Sequence, residues 1–506
     1  MRTLSILSCW VAAAVIAAAA LIPRAPLKEP SLASRTVGKR VVFPPTSAAG
    51  FSDPHDDPFY AAPSNIASYA KGTVVRQRAT KSTFAVALGS QVAKSYQIGV
   101  ASENTQKQAI LAVATVIVPK DPKSETGILS FQNFEDATSF SCAPSWAYVA
   151  NSGSPAQLAA NFEAPIVVSW AINSGYYVVI PDHEGPSSSF IAGKTEGKII
   201  LDGIRGIIAS EKLPAKSKVT LYGYSGGAHA TVWGTEMHES YAPEINVVGA
   251  AHGGTPIDPE HLLTSLNGGA FAGFSTAGLI GIMSQHRDFH DFIDKYITDA
   301  GRTTLAKFTA RNYCIQNVVA DNAFLDFFSL INYKDPLHTD VVQKTLKHET
   351  LLQSKASYHI SVPKFPRYIY HALVDQIVPF NDSQQYVKDQ CARGADIAFA
   401  TLPVAEHIAA EIEGIPIIID FLDKAFTGTI PKVTCGRILP ASMTSTQTLL
   451  GSKVASQLSK LTSNKAAAQA AAGLAHNNAD NATGIVSSSS VASAQVSSLF
   501  NSILEL

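Results

Sequence analysis

The segment Leu221-Tyr222-Gly223-Tyr224-Ser225-Gly226-Gly227-Ala228-His229-Ala230 sets a serine between glycines, after a short apolar run and before a helix-like pattern. In a strand-to-helix elbow of that form the serine hydroxyl stands exposed at the end of a sheet, where it can attack an acyl carbon. Gly223, Tyr224 and Gly227 make up the rest of the elbow, the glycines because side chains would collide in so sharp a turn. By composition alone, roughly one chain of this length in five carries Gly-x-Ser-x-Gly. The flanking strand and helix patterns therefore carry the weight of the assignment.

A serine hydroxyl is a poor nucleophile near neutral pH, so it needs an imidazole base, and that imidazole needs a carboxylate to fix its tautomer. In this setting the chain order is Ser, then Asp or Glu, then His. Of the 14 histidines, His407 and His476 alone follow both Ser225 and the last strand-like run, and His476 falls in an Ala/Asn-rich tail. His407 is the expected base, carried over the serine by a loop past the run at 397–402. Asp375, at the end of the run at 368–372, is the expected acid. Asp382 is the alternative, although an Asp at a helix start is commonly an N-cap. Glu406 adjoins His407 and is expected to point elsewhere. Acyl transfer also needs donors aimed at the developing oxyanion. The N–H of Gly226 is the expected first donor; the residues alone place the second only within 133–137, a loop without the His-Gly-Gly-Gly form of many esterases.

These groups need a scaffold. Apolar runs at 110–118, 127–131, 176–181, 219–223, 246–250, 368–372 and 397–402 have the length of buried strands. Helical patterns at 195–211, 227–238 and 383–391 separate several of them, which implies βαβ crossovers, a mostly parallel central sheet and the α/β class. From about 257 to 354 the strand series lapses, and so long a block reads as an inserted, mainly helical cap. Its tract at 268–283, with Phe271, Phe274, Leu279, Ile280, Ile282 and Met283, is a candidate lid surface or acyl-tunnel wall, with plain cap core as the bland alternative.

The chain's 506 residues allow two to four domains by length alone. With 39 basic and 40 acidic residues the net charge is −1, which argues against a nucleic-acid partner. Arg2 followed by an uncharged apolar run at 4–22 reads as a secretory signal, the rival being an uncleaved anchor; no other segment is long and apolar enough to span a membrane. Residues 23–49 read as a flexible leader and 436–506, rich in Ala and Ser, as a flexible tail. Outside the signal, Cys142, Cys314, Cys391 and Cys435 suggest two disulfides in an exported chain, with three connectivities open. Their spacing does not suit zinc, no cofactor fingerprint is found, and neither metal nor cofactor is expected. Sequons at Asn381 and Asn481 could carry glycans.

Taken together, Asp57-Pro58-Phe59-Tyr60, Phe134-Glu135-Asp136-Ala137-Thr138, Pro181-Asp182-His183-Glu184-Gly185-Pro186, the Ser225 elbow and Asp375 with Ile377-Val378-Pro379 resemble the fungal secretory lipases of the Candida antarctica lipase A type. The resemblance covers about 50–435 and implies an α/β-hydrolase fold with a helical lid between the sixth strand and the acid. It also implies Ser225, Asp375 and His407 as triad, Asp136 and Gly226 as oxyanion hole, and the disulfides Cys142–Cys314 and Cys391–Cys435. The tail after 435 falls outside it. The function expected is a secreted, monomeric serine lipase or esterase acting on triacylglycerols and other carboxylic esters, at a lipid–water interface where the substrate forms one. The alternatives are the same triad serving a peptidase, polyester hydrolase or acyltransferase, and a catalytically vestigial, wall-associated binding protein.

Overall fold

The computed structural model describes residues 50–437 apart from residue 404. The expected signal, the leader, His476, the sequon at Asn481 and the tail beyond residue 437 lie outside the described residues.

Nine strands form one sheet: β1 (Val74–Ala79), β2 (Val92–Glu103), β3 (Ala109–Pro119), β4 (Gly127–Gln132), β5 (Tyr177–Pro181), β6 (Lys218–Tyr224), β7 (Asn246–Gly253), β8 (Arg367–Ala372) and β9 (Ile397–Leu402), in the order β1-β2-β3-β5-β4-β6-β7-β8-β9. The five pairings from β5 to β9 are parallel, and the three involving β1, β2 and β3 are antiparallel. β1 and β2 escape the sequence reading because they are not continuous apolar runs. β1 carries Arg76 and Arg78, while β2 interleaves Tyr96, Ile98 and Val100 with polar residues. Arg78 is buried because Asp57 neutralises it at 2.6 Å and the Phe59 ring lies 4.1 Å below its guanidinium.

Parallel neighbours need crossovers. Those flanking the site are α1 (Gln157–Asn173), α2 (Gly193–Ser210) and α3 (Gly226–Tyr241). Alternation along β3 shows how both faces are covered. Ala114, Val116 and Val118 join Ile200, Ile204 and Ile207 of α2 in one core, whereas Ile117 joins Val167 and Val168 of α1 in the other.

Between β7 and β8 lies the helical block, with α4 (Pro259–Leu266), α5 (Ala272–Gln285), α6 (Arg287–Tyr296), α7 (Asp299–Phe308), α8 (Ile315–Ala320) and α9 (Asp340–Glu349). It follows the seventh strand rather than the sixth, because the N-terminal antiparallel strands lengthen the count. Within the tract at 268–283, Gly268 and Ala270 are exposed, but the helical part is not a surface. From Ala272 to Met283 every residue of α5 is buried, as in cap core, and together with Ile191, Leu262, Leu263 and Leu346 the helix lines a small pocket of about 10 Å³. The disulfide Cys142–Cys314 fastens the cap, just ahead of α8, to the segment after β4. After β8 come α10 (Phe380–Ala392), which starts three residues earlier than the pattern at 383–391 indicates, and α11 (His407–Thr427). Cys391–Cys435 holds the end of α10 to the C-terminal segment, whose Gly436 and Arg437 hydrogen-bond along β9 instead of starting a free tail. Among the described residues no helix is long and apolar enough to cross a membrane.

Candidate active site

Ser225 stands between β6 and α3 with φ 51° and ψ −121°, a backbone state that costs a non-glycine residue about 1–3 kcal/mol. The surroundings hold it there. Its N–H donates to Gly253 O at 3.0 Å, and side chains at Gly223 and Gly227 would run into Gly227 O and Gln132 O respectively. The hydroxyl lies 2.9 Å from His407 Nε2, and His407 Nδ1 lies 2.8 Å from Asp375 Oδ2.

His407 does not ride on a loop, as the sequence suggests, but opens α11. Glu406, immediately before it, is the N-cap, its carboxylate accepting from the amides of Ile408 and Ala409 at 3.1 and 2.9 Å. Glu406 thus does point away from the imidazole. Gln376 Oε1 accepts the His407 N–H at 3.1 Å, and the Tyr224 hydroxyl donates to His407 O at 2.5 Å while its ring lies 5.1 Å from the imidazole.

Asp375 sits in the loop after β8. Its Oδ1 accepts the amides of Ile377 and Val378 at 2.9 and 2.8 Å, and its Oδ2 also meets His371 Nε2 at 3.2 Å. Burial would raise its pKa, but His407 and His371 outweigh burial and hold the carboxyl well below the ordinary carboxylate range. Burial likewise disfavours a charged His407, and Asp375 outweighs it, so the imidazole pKa is raised above the usual histidine value. Asp382 is elsewhere: its carboxylate meets His261 Nδ1 at 2.8 Å, and Asp382 lies inside α10 rather than at its N-cap. Asn381 is exposed in the first turn of α10, but Ser383 of its sequon is fully buried against His371 and Thr255 O.

On the other side of the serine lies the loop after β4. The carboxyl of Asp136 packs on the Cα of Gly226, where any side chain would collide with Oδ1. The backbone of Asp136 is left-handed at φ 49°, and its N–H donates to Glu184 Oε1 at 3.1 Å. Asp136 Oδ1 is buried without a hydrogen-bond partner among the described residues, and burial pushes the pKa up to about 7, with His407 opposing and Glu196 adding. Acids surround it. Burial and mutual repulsion raise Glu135 and Glu184 well above the carboxylate range, and burial takes Asp182 to about 7 and Glu411 to about 8.

The segment after β5 buttresses that loop and the helical turn Pro144–Ala147 that follows it. Asp182 accepts from Ser145 N and Oγ at 2.7 and 2.6 Å, His183 Nε2 donates to Asn133 O at 2.8 Å, and Glu184 takes the Asp136 amide. Sequence reasoning missed Glu184 and Tyr224 as positioning groups. The pairing of Phe134-Glu135-Asp136 with Asp182-His183-Glu184 was visible as motifs, but nothing in either motif reveals that the two loops touch.

A family model described as secretory lipase matches residues 154–433. The chain belongs to the secretory lipase family. Lipase A of Moesziomyces aphidis is 44% identical over 439 residues, covering 86% of this chain and 93% of the relative. A secreted triacylglycerol lipase of Malassezia furfur is 31% identical, covering 74% and 76%. Candida antarctica lipase A in its closed state superposes with a TM-score of 0.78 at 46% identity, covering 80% of this chain and 95% of that one. The α/β-hydrolase architecture of this secretory lipase is therefore shared with a solved member of the same group.

Proposed function

We propose that this secretory lipase is a secreted triacylglycerol lipase that cleaves carboxylic esters through an acyl-enzyme on Ser225. The observation that carries the reading is the unbroken hydrogen-bonded line Ser225 Oγ, His407 Nε2, His407 Nδ1, Asp375 Oδ2 at 2.9 and 2.8 Å. His407 takes the hydroxyl proton as Oγ bonds to the ester carbonyl carbon, and it returns that proton to the departing glycerol oxygen. A water then attacks the acyl-enzyme, giving one proton to His407, and Ser225 leaves with that proton as the fatty acid is released.

The tetrahedral oxyanion faces the Gly226 N–H. With its own amide occupied by Glu184, Asp136 offers its side chain instead, and a carboxyl with a pKa of about 7 is substantially protonated at neutral pH and can donate an O–H. The same reading takes 50–435 as the hydrolase domain and the block at 257–354 as its cap. Intact partners for every triad role disfavour a vestigial protein.

Ser225→Ala is the test. Hydrolysis of emulsified triacylglycerol and labelling by a fluorophosphonate should both vanish while the thermal transition stays in place. Retained turnover would remove Ser225 from the mechanism. A wild-type protein that prefers peptide to ester substrates would overturn the lipase reading.

A further inference from the structure

We propose that His286, His348 and Glu349 form a zinc site at the seam between cap and body. His286 joins α5 to α6, and His348 and Glu349 end α9, so three cap helices converge there. The donor atoms all lie within 4.8 Å of one another. His286 Nε2 is 2.6 Å from Glu349 Oε1, and His348 Nδ1 is 3.7 Å from the same oxygen. Tetrahedral zinc with bonds near 2.0–2.1 Å sets its ligands about 3.3 Å apart. The two separations straddle that value, and modest side-chain rotations bring them to it.

Two imidazoles and one carboxylate are borderline-soft ligands that suit zinc over calcium or magnesium, and they leave the fourth position to water. The carboxylate is already oriented. Glu349 is fully buried and its Oε2 accepts the Gly193 N–H at 3.0 Å, which ties the site to the first turn of α2 in the body. The His348 side chain is 40% exposed, and the ion enters from that side.

One group opposes it. Lys194 Nζ lies 3.2 and 2.9 Å from His348 Nδ1 and Nε2 and 4.4 Å from the Tyr358 ring centroid, and its ammonium repels a divalent cation. The long stem of Lys194 lets that charge swing away as zinc arrives. Zinc would then cross-link α5, α6 and α9 to α2 without touching Ser225 or its partners. Cysteine spacing could not disclose such a site, since its ligands are two histidines far apart in sequence.

The experiment uses the full chain after chelator treatment, titrated calorimetrically with ZnCl2, CaCl2 and MgCl2 and followed by thermal melting. Expected are one zinc per chain bound at micromolar concentration or tighter, a melting temperature raised by zinc, and no response to the other two salts. His348→Ala, at a part-exposed position, should keep the metal-free melting temperature and bind zinc more than about tenfold more weakly, with His286→Asn as the second variant. Lys194→Met should bind zinc more tightly. Absent zinc binding, undiminished one-to-one binding in both histidine variants, or a preference for calcium would each overturn the site.

Discussion

Asp375 and Asp136 are both buried side chains in loops that follow parallel strands of the sheet, on opposite sides of Ser225, yet their chemistry diverges. Asp375 has two backbone amides on one oxygen and two imidazoles against the other, and stays ionised. Asp136 has Glu135, Glu184 and Glu196 for company and an Oδ1 with no partner among the described residues, and its pKa rises to about 7. Burial is common to the two; the surrounding charges and donors decide which aspartate keeps its proton. In the proposed mechanism the two states serve different ends, an anion behind the base and a neutral donor before the oxyanion.

The same substitution should therefore act differently at the two positions. Asp375→Asn removes the charge that holds the His407 tautomer, and kcat for ester hydrolysis should fall about 10⁴-fold. Asp136→Ala should cost about 10²–10³-fold, the effect of one oxyanion donor, but Asp136→Asn keeps an N–H and should stay within about tenfold of wild type. Its pH–rate profile should also lose the decline near pH 7 that deprotonation of Asp136 imposes. If Asp136→Asn is as damaging as Asp136→Ala, the neutral-donor role fails.

Stability against pH separates the loops next. Asp136 and Asp182, both at about 7 when folded, keep protons that the unfolded chain has already lost above its ordinary carboxylate values. Their contribution falls as pH rises from about 4 to 7, lowering the melting temperature by on the order of 5 °C. Asp375 acts in reverse: its depressed pKa stabilises above about pH 4, and that gain is lost as pH falls through the folded value. A melting profile over pH 4–8 whose slope is unaltered by Asp136→Asn would break the contrast. Smallest of all, Asp382→Asn should change turnover less than about twofold, since Asp382 holds His261 and not His407.

Legibility in the sequence followed the range of the interactions involved. β3 to β9 could be read because strands buried on both faces are near-continuous apolar runs, whereas β1, with Arg76-Gln77-Arg78 in a row and dependent on Asp57 for Arg78, and β2, interrupted by polar residues, could not. The elbow was readable because strand, turn and helix are contiguous. The helical state of His407 was not, since it depends on Glu406 as cap and on Gln376 from a separate loop.

The sequence by itself determined the α/β pattern, the serine elbow, the order of serine, acid and histidine, and the existence of a long insertion, all of which follow from local periodicity and residue type. Only the tertiary structure decided how Asp136 meets Gly226, that Glu184 takes the Asp136 amide, that α5 is buried in the cap rather than displayed on it, and that His286 meets Glu349. The physical reason is common to these: each depends on burial and on partners far away in the chain, and both the proton affinity of a carboxyl and the exposure of an apolar helix are set by what surrounds them.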